Sequence, residues 1–247
     1  ESDNWALEAA VAGKHGGTII VSGIEHPAIL NKCRDLEKRG YNIEYLRCTS
    51  DGIIDIEDLR RKIKDDTLLI SVMLVNNEIG TIQDLKAIGN LIKEKNSNTI
   101  FHVDAVASFG KLPMKISEWK ADLVSVSGHK IHAPKGVGAL YIRDGLKLRS
   151  LVDGGSQEFG MRAGTENSIG IVGFGEACKI INEDGLEMGL EQTKKLYNHL
   201  KERVLTEIKD SCINGTELLE NEAYTSSPFL INLGFKGVKA ETLLHHL

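Results

Sequence analysis

Ile100-Phe101-His102-Val103-Asp104-Ala105 and Ser125-Val126-Ser127-Gly128-His129-Lys130 are the two stretches that decide how this chain folds. Each joins the end of a strand-length run, Thr99–Val103 in one and Leu123–Ser127 in the other, to polar residues, a carboxylate in one and a lysine in the other. Working outward, strand-like runs recur at Thr18–Ser22, Asn42–Leu46, Leu68–Val75, Thr99–Val103, Leu123–Ser127 and Val137–Ile142. Segments of helical period fill the gaps. Single strands alternating with helices predict an α/β fold of three layers, a mostly parallel sheet flanked by helices. Local signals agree: Asp3-Asn4 is placed to open a helix over Trp5–Ala12 that stops at Gly13. Asp84 opens another to about Lys95, and Pro27 suits a helix's first turn.

The 247 residues suffice for one large or two smaller domains. From Asp153 to Gly164 the chain turns Gly-rich and polar, which reads as a long ordered loop. Helices are expected over about Glu166–Asn182 and Leu186–Lys209, then short strands, then a last helix from about Val238. The change of pattern predicts a boundary near residue 185, with a large domain over 1–184 and part of a small C-terminal α+β domain over 185–247. The chain begins at Glu1 without an initiator Met and stops at His245-His246-Leu247, inside the last expected helix, so segments are expected to be missing at both ends.

Composition narrows the function. The 35 acidic and 30 basic residues are interspersed and leave a net charge of -5, which offers no basic footprint for nucleic acid. The longest apolar runs, such as Leu68–Val75, fall well short of the roughly 20 residues that cross a bilayer, and no membrane partner is expected. Cys33, Cys48, Cys178 and Cys212 stand far apart with no C-x-x-C pair, as in a cytoplasmic protein with reduced thiols. Cys33 and Cys178 are expected half-buried on helices, acting as small hydrophobes. His129 with His132, and His245 with His246, lack third and fourth ligands, so no metal is expected. Gly136-Val137-Gly138 and Gly173-Phe174-Gly175 are incomplete as dinucleotide fingerprints and read as packing glycines.

Ligands of open α/β sheets bind at the carboxyl ends of the strands, where this chain offers Asp104 and Lys130. A carboxylate and a lysine are the pair a pyridoxal 5'-phosphate site needs. The lysine forms the Schiff base, and the aspartate pairs with the protonated pyridine nitrogen and keeps the ring an electron sink. Each alone has a plainer reading, as a turn residue or a solvated surface charge. Three further pieces add weight. Ser127, Gly128 and His129 offer a hydroxyl, close backbone approach and an imidazole to a phosphate; Asn76-Asn77 ends a third strand; and His26, after the first strand, offers a flat ring.

These pieces form an ordered set: Glu25-His26-Pro27-Ala28, Val75-Asn76-Asn77-Glu78-Ile79-Gly80, His102-Val103-Asp104-Ala105, Ser127-Gly128-His129-Lys130 with Pro134–Tyr141, and Gly160–Asn167. In order and spacing the set resembles the motifs of cysteine desulfurases, in the class V aminotransferase group of fold type I pyridoxal phosphate enzymes. The resemblance runs from Glu1 to about residue 182 and weakens beyond. It implies a fold type I large domain in which Lys130 holds the cofactor and, with His26, is catalytic. It further implies that Asp104 pairs with the pyridine nitrogen, His26 stacks on the ring, Asn77 hydrogen-bonds the ring hydroxyl, and Ser127 and His129 hold the phosphate. Thr165 matches a threonine that reaches the phosphate of the neighbouring subunit, which implies a homodimer. The implied reaction converts L-cysteine to L-alanine and passes sulfur to an enzyme cysteine as a persulfide. A sulfur-acceptor protein would carry it to iron-sulfur cluster or thio-cofactor assembly.

The departures from that pattern also matter. The family usually has Gln three residues after the cofactor aspartate, where this chain has Ala107, so one donor to the ring hydroxyl is lost. A buried acceptor left unpaired costs about 1–3 kcal/mol unless water or a neighbour replaces the donor. The family's phosphate-binding Gly-Thr step would precede Glu1, and its nucleophilic Cys and carboxylate-binding Arg would follow Leu247. None of the four cysteines matches the nucleophile, so no desulfurase turnover is expected of these 247 residues alone. The alternatives are another class V enzyme, such as a selenocysteine lyase or an aminotransferase, and a non-catalytic homologue.

Overall fold

Six strands build the central sheet: β1 (Thr18–Ser22), β2 (Asn42–Leu46), β3 (Thr67–Met73), β4 (Ile100–Asp104), β5 (Leu123–Ser127) and β6 (Gly138–Ile142). The computed structural model describes residues 1–183, 185–218 and 225–247. The spatial order is β2-β1-β3-β4-β5-β6, with β1 to β5 parallel and β6 antiparallel at the edge. Strands buried on both faces need apolar side chains on both, and β1 and β3 are covered almost throughout.

Helices α1 (Ser2–Val11) and α2 (Pro27–Lys38) cover one face, where Leu7, Ile29 and Leu36 pack with Ile19, Val21 and Leu69. Helices α3 (Ile56–Lys62), α4 (Leu85–Lys95) and the single turn α5 (Ile116–Trp119) cover the other, where Leu59, Ile88 and Ile92 pack with Ile70, Phe101 and Val103. The expected three layers are therefore present. Caps fix the helix starts: Asp84 accepts from the Ala87 amide at 2.9 Å and Asp55 from the Asp58 amide at 3.0 Å. The close approach of α4 to α5 depends on Gly89, because a Cβ there would lie 1.8 Å from the Trp119 carbonyl oxygen.

At the amino end of the sheet Asp122 is buried and fully paired. It accepts from Lys93 Nζ at 2.7 Å, from Arg143 Nε at 2.7 Å and from the Phe101 amide at 2.8 Å. Beyond the sheet come α6 (Ser168–Glu183), α7 (Leu186–Glu207), an antiparallel pair β7 (Ser211–Ile213) with β8 (Leu233–Phe235), and α8 (Ala240–Leu244). Among the described residues no helix is long and apolar enough to cross a membrane.

Some local expectations are corrected. Helix α1 begins at Ser2 after Glu1, so Asp3 lies inside the first turn and not at its cap. An acid is favourable there beside the helix's exposed amides, and this one is buried on the sheet side. Strand β3 stops at Met73, because Val75 leaves the ladder to form a bridge with Ile82. Helix α8 ends at Leu244, before the two histidines. Cys33 is wholly buried, not half-buried.

Candidate active site

The parallel register aligns Met73, Asp104 and Ser125 across β3, β4 and β5, so the chain leaves three neighbouring strands at one edge of the molecule. After β5 it makes a 3-10 turn, Gly128–Ile131, which carries Lys130. The turn is held by the Gly128 amide donating to the Val137 carbonyl at 3.0 Å and the Ala133 amide to the Gly128 carbonyl at 3.1 Å. A side chain at Gly128 would press within 3.1 Å of Ala133 and Val137, so glycine permits the tight exit.

One broad cleft at these strand ends is lined by His26, Asn77, Asp104, Ser127, His129, Lys130 and Thr165, the seven residues to which the resemblance gives catalytic or cofactor roles. His26 is exposed at the start of α2, and its Nδ1 accepts from the Ala28 amide at 3.2 Å, which fixes the ring's orientation. Ser127 Oγ and His129 Nδ1 lie 2.8 Å apart. Thr165 is exposed on the rim, in the loop that Arg162 ties to Glu1 at 2.9 Å. The two asparagines divide the work. Asn76 Oδ1 accepts from the Glu78 and Ile79 amides at 2.9 and 3.0 Å, and its Nδ2 donates to the Ile24 carbonyl at 3.0 Å. That leaves Asn77 to face the cleft.

The floor is unusual for its buried acids. Asp104 accepts from the Val106 amide at 2.9 Å through Oδ1. Burial pushes its carboxyl up to about 7, helped by Asp3 and opposed by that amide and by Lys130. Glu25, behind it, accepts from the Ser22 hydroxyl and from the Met73 amide at 2.8 Å. Burial still raises it to about 8, and Asp104 and Asp3 add to the rise. Asp3 Oδ1 and Glu25 Oε2 are buried without a hydrogen-bond partner among the described residues. Between strands, His102 spans Ser71 Oγ at 2.8 Å and Ser125 Oγ at 2.9 Å, with Asp3 at 3.7 Å. Burial lowers its imidazole to about 4, so the ring is neutral at pH 7.

Sequence reasoning missed the parts of Asp3, Glu25 and His102 in this floor. Glu25 and His102 stood inside recognised motifs, but nothing in their spacing told that they point inward. Asp3 had the signature of a cap, which a carboxylate in the first turn shares.

A buried acid at the cleft floor, raised and with no hydrogen-bonded cation among the described residues, is suited to a ligand bearing a protonated aromatic nitrogen. An amine on the cleft wall is suited to an aldehyde. Donors from Ser127 and His129 suit a phosphate. The donor set therefore fits pyridoxal phosphate.

The whole chain, residues 1–247, matches the family described as aminotransferase class-V. It belongs to that family, whose members use pyridoxal phosphate. Among curated relatives it is 42% identical over 246 residues to a cysteine desulfurase IscS of Clostridium botulinum, covering 99% of this chain and 60% of that protein. It is 45% identical over 251 residues to cysteine desulfurase IscS of Proteus mirabilis, covering 99% and 59%. The chain thus spans about three-fifths of the length of these relatives. Among solved structures, a NifS-like protein superposes with a TM-score of 0.91 at 36% identity, covering 99% of this chain and 65% of that one. A structure described as SspA in complex with cysteine gives a TM-score of 0.73 at 35% identity, covering 86% and 59%.

Proposed function

We propose that this chain is the cofactor-binding part of a cysteine desulfurase, which moves the sulfur of L-cysteine onto an enzyme thiol and releases L-alanine. The overall change balances without an outside oxidant: L-cysteine and a thiol give L-alanine and a persulfide. The observation that carries the reading is the convergence of Asp104 and Lys130 on one cleft. The cysteine desulfurases among its relatives support the choice of substrate.

When bound, pyridoxal phosphate supplies an aromatic electron sink for the charge left on an amino acid that loses its α-proton. Lys130 would hold the cofactor through Nζ, and its amine is placed to carry that proton. Asp104 in its ionised form would hold a proton on the pyridine nitrogen. His26, held by its bond to the Ala28 amide, would orient the ring. Asn77 would donate to the ring hydroxyl, Ser127 and His129 to the phosphate, and Thr165 to the phosphate in the partner of a homodimer. Exposed Phe159, Ile169 and Val172 beside the cleft give such a dimer apolar surface to cover.

In this reading residues 1–184 form the cofactor domain and 185–247 part of a smaller one. The protein works in the cytoplasm and passes sulfur to an acceptor protein for iron-sulfur cluster or thio-cofactor assembly. None of Cys33, Cys48, Cys178 and Cys212 lines the cleft, so the thiol that takes the sulfur is a residue other than these four. The 247 residues alone therefore produce no alanine from L-cysteine.

The test is a visible absorbance spectrum of the purified chain with added pyridoxal phosphate, followed by borohydride reduction and peptide mapping. A visible band and a reduced adduct on Lys130, both absent from Lys130→Ala, are expected. An adduct spread over surface lysines, or none, refutes the reading.

A further inference from the structure

A small side cavity of about 70 Å³ opens behind Lys130, and its wall includes Asn77, Ala107, Lys111, Ser227 and Phe229. It is large enough for a water or a small polar group. Ala107 contributes only a methyl group to it. Lys111 is half-buried, and its ammonium makes no hydrogen bond or ion pair among the described residues. Burial lowers its pKa, and the charge of Lys130 lowers it further. Lys130 is the other charged group lining this cavity; Asn77 and Ser227 are neutral donors.

An unpaired, half-buried cation is costly unless something anionic completes it. The cavity itself indicates which anion. The aldehyde carbon that joins a lysine and the hydroxyl that becomes a phenolate are neighbours on the pyridoxal ring. A cavity shared by Lys130 and Asn77 lies beside that edge if the roles proposed above hold. We infer that Lys111 is a cofactor-tuning residue: its ammonium, directly or through one water in the side cavity, donates to the ring oxygen that Asn77 also faces. It supplies the donor that the methyl of Ala107 cannot.

This inference rests on the proposed cofactor site, and the experiment separates the two. Pyridoxal phosphate affinity and the pH midpoint of the visible band are measured on the chain, on Lys111→Met and on Lys111→Met with Ala107→Gln. Removing a charged donor weakens binding about tenfold or more. A positive charge beside the Schiff base favours loss of its proton, so Lys111→Met moves the midpoint upward by about one pH unit. Ala107→Gln, a neutral amide in the same cavity, recovers most of the affinity but leaves the midpoint raised.

Unchanged affinity and midpoint in Lys111→Met, with the Lys130 adduct intact, overturn the inference and spare the cofactor site. Weakened affinity with an unmoved midpoint assigns Lys111 a merely structural part and also overturns it. Absence of any Lys130 adduct in the parent chain removes both. If Lys111→Met does not fold, Lys111→Gln must show the same upward midpoint, and a midpoint equal to the parent's rejects the inference.

Discussion

Glu25 and Asp104 show what single residues contribute here. Both carboxyls titrate higher in the folded chain than in the unfolded one, Glu25 near 8 against 4.5 and Asp104 near 7 against 3.8. The native state therefore keeps protons that the unfolded chain has released, and stability falls as pH rises through that window. His102 acts in the opposite sense, its contribution gained between about 4 and 6.5 and complete above that. Between 6.5 and 8 the acids dominate, and the raised thiols of Cys33, Cys48 and Cys178 add in the same sense only at higher pH. Denaturant unfolding of the cofactor-free chain should show stability falling by an order of 1 kcal/mol between pH 6.5 and 8, with a shallower fall in Glu25→Gln. A flat or rising profile would show that the floor is not protonated. At this scale the sequence was partly legible. Asp104 and Lys130 could be found because strand ends are where such sheets bind ligands, whereas the inward turn of Asp3 and the half-buried ammonium of Lys111 depend on packing that spacing does not encode.

The elements were legible because their signals are local and strong. Each main strand sits where an apolar run predicted it, to within about two residues, and Asp84 and Pro27 mark helix starts in the structure as in the sequence. Ends were less legible: β3 terminates where its backbone finds a different partner, and α8 stops before the chain's apolar pattern does. Two substitutions test how much the elements depend on single positions. Asp84→Ala removes the bond to the Ala87 amide and should cost about 1 kcal/mol by denaturant titration. Gly89→Ala drives a methyl into the Trp119 carbonyl and should cost about 3 kcal/mol. If Gly89→Ala were the milder of the two, α5 would be free to shift away from α4.

For the whole molecule, the cleft gathers residues from α2, from the segments after β3, β4 and β5, and from the loop before α6. A ligand bridging them binds the folded chain and not the unfolded one. At free pyridoxal phosphate about 100 times its dissociation constant, stability should rise by about 2.7 kcal/mol, or roughly 5–10 °C in melting temperature. Lys130→Ala should lose most of that rise when scanned with the same cofactor excess. An equal rise in both would mean the added compound stabilises the chain elsewhere.

The two buried aspartates at opposite ends of the sheet differ in one respect. Asp122, at the amino end, is bonded to two cations and an amide, whereas Asp104, at the carboxyl end, has an amide and, among the described residues, no bonded cation. The amino end of the sheet is thus tied by groups of the chain itself, so Asp122→Ala would strand the ammonium of Lys93 and the Phe101 amide together, a loss felt by the fold with or without a bound ligand.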